Sequence, residues 1–117
     1  MEPALPQIDA RTLAEKLISH DIFTILDVRE AWELERACIQ DERVINLPLS
    51  MLNNKLIDIF PAKLREPQAQ IIVMCHHGVR SSSVANWMIS NGWKNIFNLT
   101  GGIDAYAAEV DPKIGFY

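Results

Sequence analysis

The stretch QIIVMCHHGVRSSS, residues 70–83, joins an apolar run to the beginning of a predicted helix. The run from Gln70 to Met74 is continuously apolar after its first residue, as in a strand buried on both faces in the middle of a parallel sheet. After it, Val84 and Met88 recur at helical spacing, which predicts a helix from about residue 80 to residue 90. Asn91 and Gly92 form a plausible end for that helix.

The same alternation of strand and helix extends in both directions from this stretch. Asp9 is a predicted N-cap for a helix that ends near His20. Strands are predicted at 22–28, 44–46 and 94–99, with short helical segments after the first strand and after Gly101-Gly102. Ser50 is expected to cap a further helix, which ends at Pro61. This order indicates an α/β domain with a mostly parallel sheet.

Composition narrows the class of protein. The chain has 117 residues, of which 49% are hydrophobic, so one domain with a substantial core is expected. Its net charge is −4 and it has no basic block, which argues against nucleic-acid binding. No leader peptide and no apolar run of membrane-spanning length is seen. We therefore expect a cytoplasmic monomer with a loose N-terminal arm over residues 1–7 and one domain over residues 8–117.

The loop after the strand at 70–74 combines features that favour a reactive thiol. It lies between the carboxyl end of a central strand and a helix N-terminus, where sites form in open α/β sheets. If the loop curls, its backbone N–H groups form an anion-binding nest, and Gly78 supplies the positive φ that such a curl needs. Arg80 adds a cation and Ser81 a hydroxyl. These donors are expected to hold Cys75 as a thiolate that is open to solvent.

Four segments, in order, resemble the rhodanese family of sulfurtransferases. They are LDVRE at 26–30 with Glu33, VINLPL at 44–49, CHHGVRS at 75–81 and NLTGGIDAY at 98–106. The resemblance covers residues 8–110 and is closest to the small, single-domain form. It implies a rhodanese-like α/β fold with a central sheet of about five strands flanked by helices on both faces.

The resemblance also implies a chemistry. Cys75 corresponds to the nucleophile that takes sulfane sulfur from a small anionic donor such as thiosulfate, becomes a persulfide, and passes the sulfur to cyanide or a thiol. A protein could also serve as sulfur donor or acceptor. His76, His77, Gly78, Val79, Arg80 and Ser81 are the expected substrate-binding loop. Asp27, Arg29 and Glu33 are expected to form a structural charge network, with Arg29 and Glu33 at i,i+4 helical spacing. No metal or organic cofactor is implied.

Two alternatives remain open at this point. A related phosphatase or arsenate reductase would carry one more residue between cysteine and arginine, since an oxyanion needs a wider ring, and here four residues intervene. A non-catalytic rhodanese-like interaction module is the other alternative, although such a module would be expected to lack the cysteine.

The sequence departs from the family between Ala37 and Arg43. The family pattern there is glycine-histidine-isoleucine followed by proline-glycine-alanine, whereas this chain has Ala37-Cys38-Ile39 and Asp41-Glu42-Arg43. Cys38 is more simply a packed residue than a second acceptor thiol. The adjacent Cys75, His76 and His77 lack the spacing of a metal site.

Overall fold

The computed structural model describes residues 5–51 and 60–117. The five strands described are β1 (Gln7–Ile8), β2 (Thr24–Asp27), β3 (Val44–Asn46), β4 (Ile71–Met74) and β5 (Ile96–Leu99). The helices with both ends in the described residues are α1 (Ala10–Ile18), α2 (Ala31–Leu34), α3 (Ala62–Arg65), α4 (Val79–Ser90) and α5 (Gly102–Glu109), and a 3₁₀ turn follows at Pro112–Ile114. The predicted α/β class is confirmed. Most of the helix predicted after Ser50 falls on residues 52–59, outside the described residues.

The five strands form one parallel sheet in the order β1-β5-β4-β2-β3. The chain passes from β2 to β3 towards one edge of the sheet, and from β4 to β5 towards the other edge. The direction of winding therefore changes between β2 and β4. In open α/β sheets the crevice at such a point, outside the carboxyl ends of the strands, is where ligands bind.

The core lies in two layers, one on each face of the sheet, as predicted. Alternate residues of β4 enter different layers: Ile71 and Val73 pack with helix α4, whereas Ile72 and Met74 pack with α1 and α5. All four side chains are fully buried. Because both faces are covered, the strand carries apolar residues without alternation.

The segment expected as a loose arm, residues 1–7, is attached to the sheet at its described end. Gln7 belongs to β1 and is in register with Asn98 of β5, and the Pro6 carbonyl accepts a hydrogen bond from the Asn98 N–H at 2.9 Å. The prediction of a loose arm was therefore wrong for Gln7. An edge strand of two residues pairs through main-chain groups and is too short to show a recognisable side-chain pattern in the sequence.

Within the residues described, no helix is both long enough and apolar enough to cross a membrane.

Candidate active site

Cys75 lies immediately after β4, at the change of winding direction. Its side chain continues the alternation of Ile71 and Val73 and packs in the same layer as Val84 and Ala85 of α4. Only 1% of Cys75 is exposed, so the expectation of an open sulfur was wrong. The reason is its register: the residue that follows Met74 points towards α4 and the core.

Two backbone N–H groups of the loop point at the sulfur. The N–H of Gly78 donates to Cys75 Sγ at 3.1 Å and the N–H of Ser81 donates at 3.3 Å. Gly78 has a φ of +97° and is the N-cap of α4, so the chain turns there in a conformation that residues with a Cβ avoid. The curl predicted from Gly78 is therefore present, and it encloses the sulfur within donors that stabilise negative charge.

The loop is held from the other side by the beginning of α5. The carbonyl of Cys75 accepts from the N–H of Ile103 at 2.9 Å, and the carbonyl of His76 accepts from the N–H of Asp104 at 3.1 Å. In a trans peptide the next N–H points opposite to the carbonyl, so the N–H groups of residues 76 and 77 point away from α5. Gly102 makes this approach possible, because a Cβ there would collide with the backbone of residues 75 and 76.

Arg80 is paired with the segment that follows β2. Its Nη1 and Nη2 each donate to one carboxylate oxygen of Glu33 at 2.7 Å, in a bidentate ion pair. The Glu33 side chain is 4% exposed, and the Arg80 guanidinium lowers its pKa from 4.5 to about 2. Arg80 is thus bonded to a protein carboxylate and ties the cysteine loop to α2.

A second ion pair, between Asp27 and Arg29, is almost completely buried. Arg29 is 0% exposed and its Nη2 donates to Asp27 Oδ2 at 2.8 Å. Arg29 reaches Glu33 only through the backbone carbonyl of that residue, at 3.3 Å. Arg29 and Glu33 therefore belong to one hydrogen-bonded network, but the Glu33 carboxylate pairs with Arg80 and not with Arg29.

Tyr117 joins the two ion pairs. Its hydroxyl donates to Glu33 Oε1 at 2.9 Å and accepts from Arg29 Nη1 at 3.1 Å. Its ring stacks on the ring of His76, with centroids 3.7 Å apart and planes 6° apart. The His77 ring lies 3.9 Å from that of His76. The loop is more open here, because the side chains of His77 and Val79 are both exposed. Burial, and then the neighbouring His77, lowers the pKa of His76, which disfavours the protonated form of this ring.

Three residues at this site were not predicted as site residues: Asn98, Gly102 and Tyr117. Asn98 is a polar residue in the otherwise apolar strand IFNL, and a polar side chain in such a strand indicates a buried hydrogen-bonding role. Gly102 was predicted to precede the last short helix, although its close approach to the cysteine loop could not be read from the sequence. No sequence pattern marks Tyr117 as a site residue, because only the tertiary fold brings its hydroxyl to Glu33.

The described residues contain no group of three or more His, Cys, Asp or Glu side chains placed to hold a metal ion. Cys38 and Cys75 are both free thiols, and Cys38 is half-buried.

Comparison with known proteins gives the family. A model of the rhodanese-like domain matches residues 9–109. The rhodanese-like/PpiC domain-containing protein 12 of Arabidopsis thaliana, a chloroplastic protein, is 42% identical over 93 residues, and the match covers 80% of this chain and 30% of that protein. A protein of Allochromatium vinosum named sulfurtransferase is 24% identical over 92% of this chain and 94% of its own length.

Solved structures agree with this assignment. A rhodanese-related protein of Thermoplasma volcanium superimposes with a TM-score of 0.71 at 32% identity, over 90% of this chain and 93% of that one. The match to the family model spans most of the chain and includes the loop that carries Cys75. The chain therefore belongs to the rhodanese-like domain family.

Proposed function

We propose that the protein is a sulfurtransferase that works through a persulfide on Cys75. The thiolate attacks the outer sulfur of thiosulfate, and the S–S bond of the donor breaks as sulfite leaves with the bonding electron pair. Cyanide or a thiolate then attacks the outer sulfur of the persulfide, and Cys75 leaves as a thiolate, ready for another cycle. The covalent intermediate divides one transfer into two displacements, so no cofactor is required.

The observation that carries this proposal is the pair of N–H groups that converge on Cys75 Sγ, from Gly78 at 3.1 Å and Ser81 at 3.3 Å. Such donors stabilise a thiolate both as attacking group and as leaving group. A packed structural cysteine has no need of them. Four residues separate Cys75 from Arg80, which limits the ring to about the size of one sulfur atom and disfavours a phosphate or arsenate oxyanion.

The loop residues 76–81 have different proposed roles. Gly78 and Ser81 supply the N–H groups that face the sulfur. Arg80 holds the loop in shape through Glu33, because both ends of its guanidinium are already bonded to the carboxylate. Val79 and His77 are exposed at the loop surface, where a donor or acceptor would approach.

Mass spectrometry of the intact protein tests this function directly. After incubation with thiosulfate and removal of excess donor, the wild-type protein should gain one sulfur atom and lose it on addition of cyanide. Cys75→Ser should gain none and should produce no thiocyanate, since a hydroxyl is a poor nucleophile in this setting. Cys38→Ser is the matched control and should behave as wild type. A wild-type protein that never acquires the sulfur would refute the proposal.

The burial of Cys75 favours a second candidate, a rhodanese-like interaction module without catalysis. At 1% exposure the sulfur is accessible to a donor only if the rim of the loop moves. The same experiment separates the candidates, because a pure interaction module would form no persulfide. A parallel assay with an aryl phosphate tests the phosphatase alternative, for which we expect no turnover.

The setting of the reaction is also part of the proposal. Two free cysteines are consistent with a reducing, cytoplasmic compartment. We take residues 8–117 as a single domain that acts as a monomer. A small anionic donor is the simplest partner, and a protein persulfide or thiol could serve in its place.

A further inference from the structure

A hydroxyl group also faces the sulfur of Cys75, and it belongs to Ser81, which supplies one of the two N–H groups as well. Cys75 Sγ lies 3.3 Å from Ser81 Oγ and donates its thiol proton to that oxygen. Ser81 Oγ in turn donates a short hydrogen bond to Asn98 Oδ1. All three residues are buried, with exposures of 1%, 0% and 3%, so the chain of hydrogen bonds is shielded from bulk water.

The neighbours of Asn98 fix which end of its amide faces Ser81. The Nδ2 group lies 3.3 Å from the carbonyl oxygen of Gly78, which can only accept, and 3.0 Å from Ser82 Oγ. The Ser82 hydroxyl gives its own proton to the same Gly78 carbonyl at 2.6 Å, so it must accept from Asn98. A flipped amide would place oxygen against oxygen at Gly78. The oxygen of the amide is therefore the atom that faces Ser81.

This orientation determines what Ser81 can offer to the sulfur. A serine hydroxyl has one proton, and here that proton is committed to Asn98. Towards Cys75 the hydroxyl presents a lone pair, which accepts from a thiol and repels a thiolate. If the hydroxyl turned to donate to a thiolate, Asn98 Oδ1 would be left buried and unpaired, which is costly.

We propose that Asn98 is a positioning residue that sets the protonation equilibrium of Cys75 by holding the Ser81 hydroxyl as an acceptor. The two N–H groups of the nest favour the thiolate, and the Asn98–Ser81 pair opposes them by stabilising the thiol. On ionisation the proton of Cys75 leaves to solvent, and the Ser81 hydroxyl loses its donor. This inference deepens the proposed function, and rests on it only for the catalytic meaning of the thiolate.

Charged and titratable groups around the loop also act on the sulfur, and they are the same in all the variants that the titration compares. They are the Arg80–Glu33 pair between α4 and α2, the Asp27–Arg29 pair after β2, the His76 ring of the loop, and His77 with Asp104 at the beginning of α5.

The test is a pH titration of the ultraviolet absorbance of the thiolate, in which the signal of each protein is corrected with its Cys75→Ser counterpart to remove Cys38 and the tyrosines. Asn98→Leu fills similar space without an acceptor and frees the Ser81 proton. We expect its titration midpoint to fall by about one pH unit, the value of one neutral hydrogen bond. Ser81→Ala removes the acceptor and should also lower the midpoint.

The double variant distinguishes positioning from a general structural effect. With Ser81 already alanine, Asn98→Leu should cause no further shift, since Asn98 then has no hydroxyl to orient. An equal shift in both backgrounds, or a midpoint that Asn98→Leu leaves unchanged or raises, would overturn the proposal. Should Asn98→Leu fail to fold, the sign of the shift in Ser81→Ala decides alone: a rise would mean that the hydroxyl donates to the thiolate. The titration uses no sulfur donor, so its result is independent of whether a persulfide forms.

Discussion

Glu33→Gln removes the charge that pairs with Arg80 while keeping the size of the side chain. In the wild-type protein the Glu33 carboxylate accepts two bonds from Arg80, one from the Tyr117 hydroxyl and one from the N–H of Glu30. An amide can accept with its oxygen only, so its nitrogen would face a donor. The variant thus leaves a guanidinium that is one-third exposed without its counter-charge.

The pKa of Glu33 gives the magnitude. Arg80 above all, together with the Glu30 N–H and the Tyr117 hydroxyl, lowers this pKa from 4.5 to about 2 in the folded protein, and the difference corresponds to about 3 kcal/mol of folding free energy. Because the folded pKa is depressed, this stabilisation is complete above pH 4.5 and is lost as the pH falls through about 2. Removing one partner of a buried pair costs a similar amount, about 3–5 kcal/mol. We therefore expect Glu33→Gln to lower the free energy of unfolding by about 3 kcal/mol at pH 7.

Urea unfolding at several pH values between 7 and 2 measures this effect. The difference in stability between wild type and Glu33→Gln should be largest at pH 7 and should shrink as the pH falls below 4.5, because acid removes the same charge from the wild type. Glu109→Gln, at an exposed position near the end of α5, is the matched control and should be nearly neutral. A difference that stays constant down to pH 2 would refute the role of the Glu33 charge.

Two further predictions concern the support of the loop. Gly102→Ala should abolish sulfur transfer and cost clearly more stability in urea unfolding than Gly92→Ala, because both glycines have positive φ but only a Cβ at Gly102 collides with the backbone of the loop. Gly92→Ala should cost only about 1–2 kcal/mol for its backbone conformation, and equal costs would contradict the reasoning. Tyr117→Phe keeps the ring stack but loses the hydroxyl bonds to Glu33 and Arg29, so thermal unfolding should show a loss of about 1–2 kcal/mol; an unchanged melting temperature would show that these bonds are not needed.

The fold was predictable because its main signals are local. The unbroken apolar run before Cys75 indicated a strand covered on both faces, and the observed β4 is buried on both faces. Asp9 was predicted as an N-cap, and its carboxylate accepts from the N–H of Thr12 at 2.7 Å. Strand β3 was predicted with its observed ends, Val44 and Asn46. Each of these features depends on neighbours within a few residues, which the sequence shows directly.

The site was predictable only in part, because much of its geometry comes from contacts between distant segments. The curl at Gly78 follows from a local pattern. The pairing of Arg80 with Glu33 joins residues 47 positions apart, and the bond from Tyr117 to Glu33 joins residues 84 positions apart. The i,i+4 spacing of Arg29 and Glu33 is visible in the sequence, whereas the pairing of the Glu33 carboxylate with Arg80 arises only in the tertiary fold. The burial of Cys75 depends on how α4 packs against the sheet, and this packing cannot be inferred from the spacing of residues.

The contacts between the cysteine loop and α5 have a consequence for biosynthesis. Main-chain groups of Ile103 and Asp104 hold the carbonyls of residues 75 and 76, and Asn98 holds the carbonyl of Gly78. A nascent chain that has emerged only as far as residue 95 lacks all of these ties between the cysteine loop and the segment that follows it. The complete set of hydrogen bonds around Cys75 can therefore form only after the segments of β5 and α5 have been synthesised.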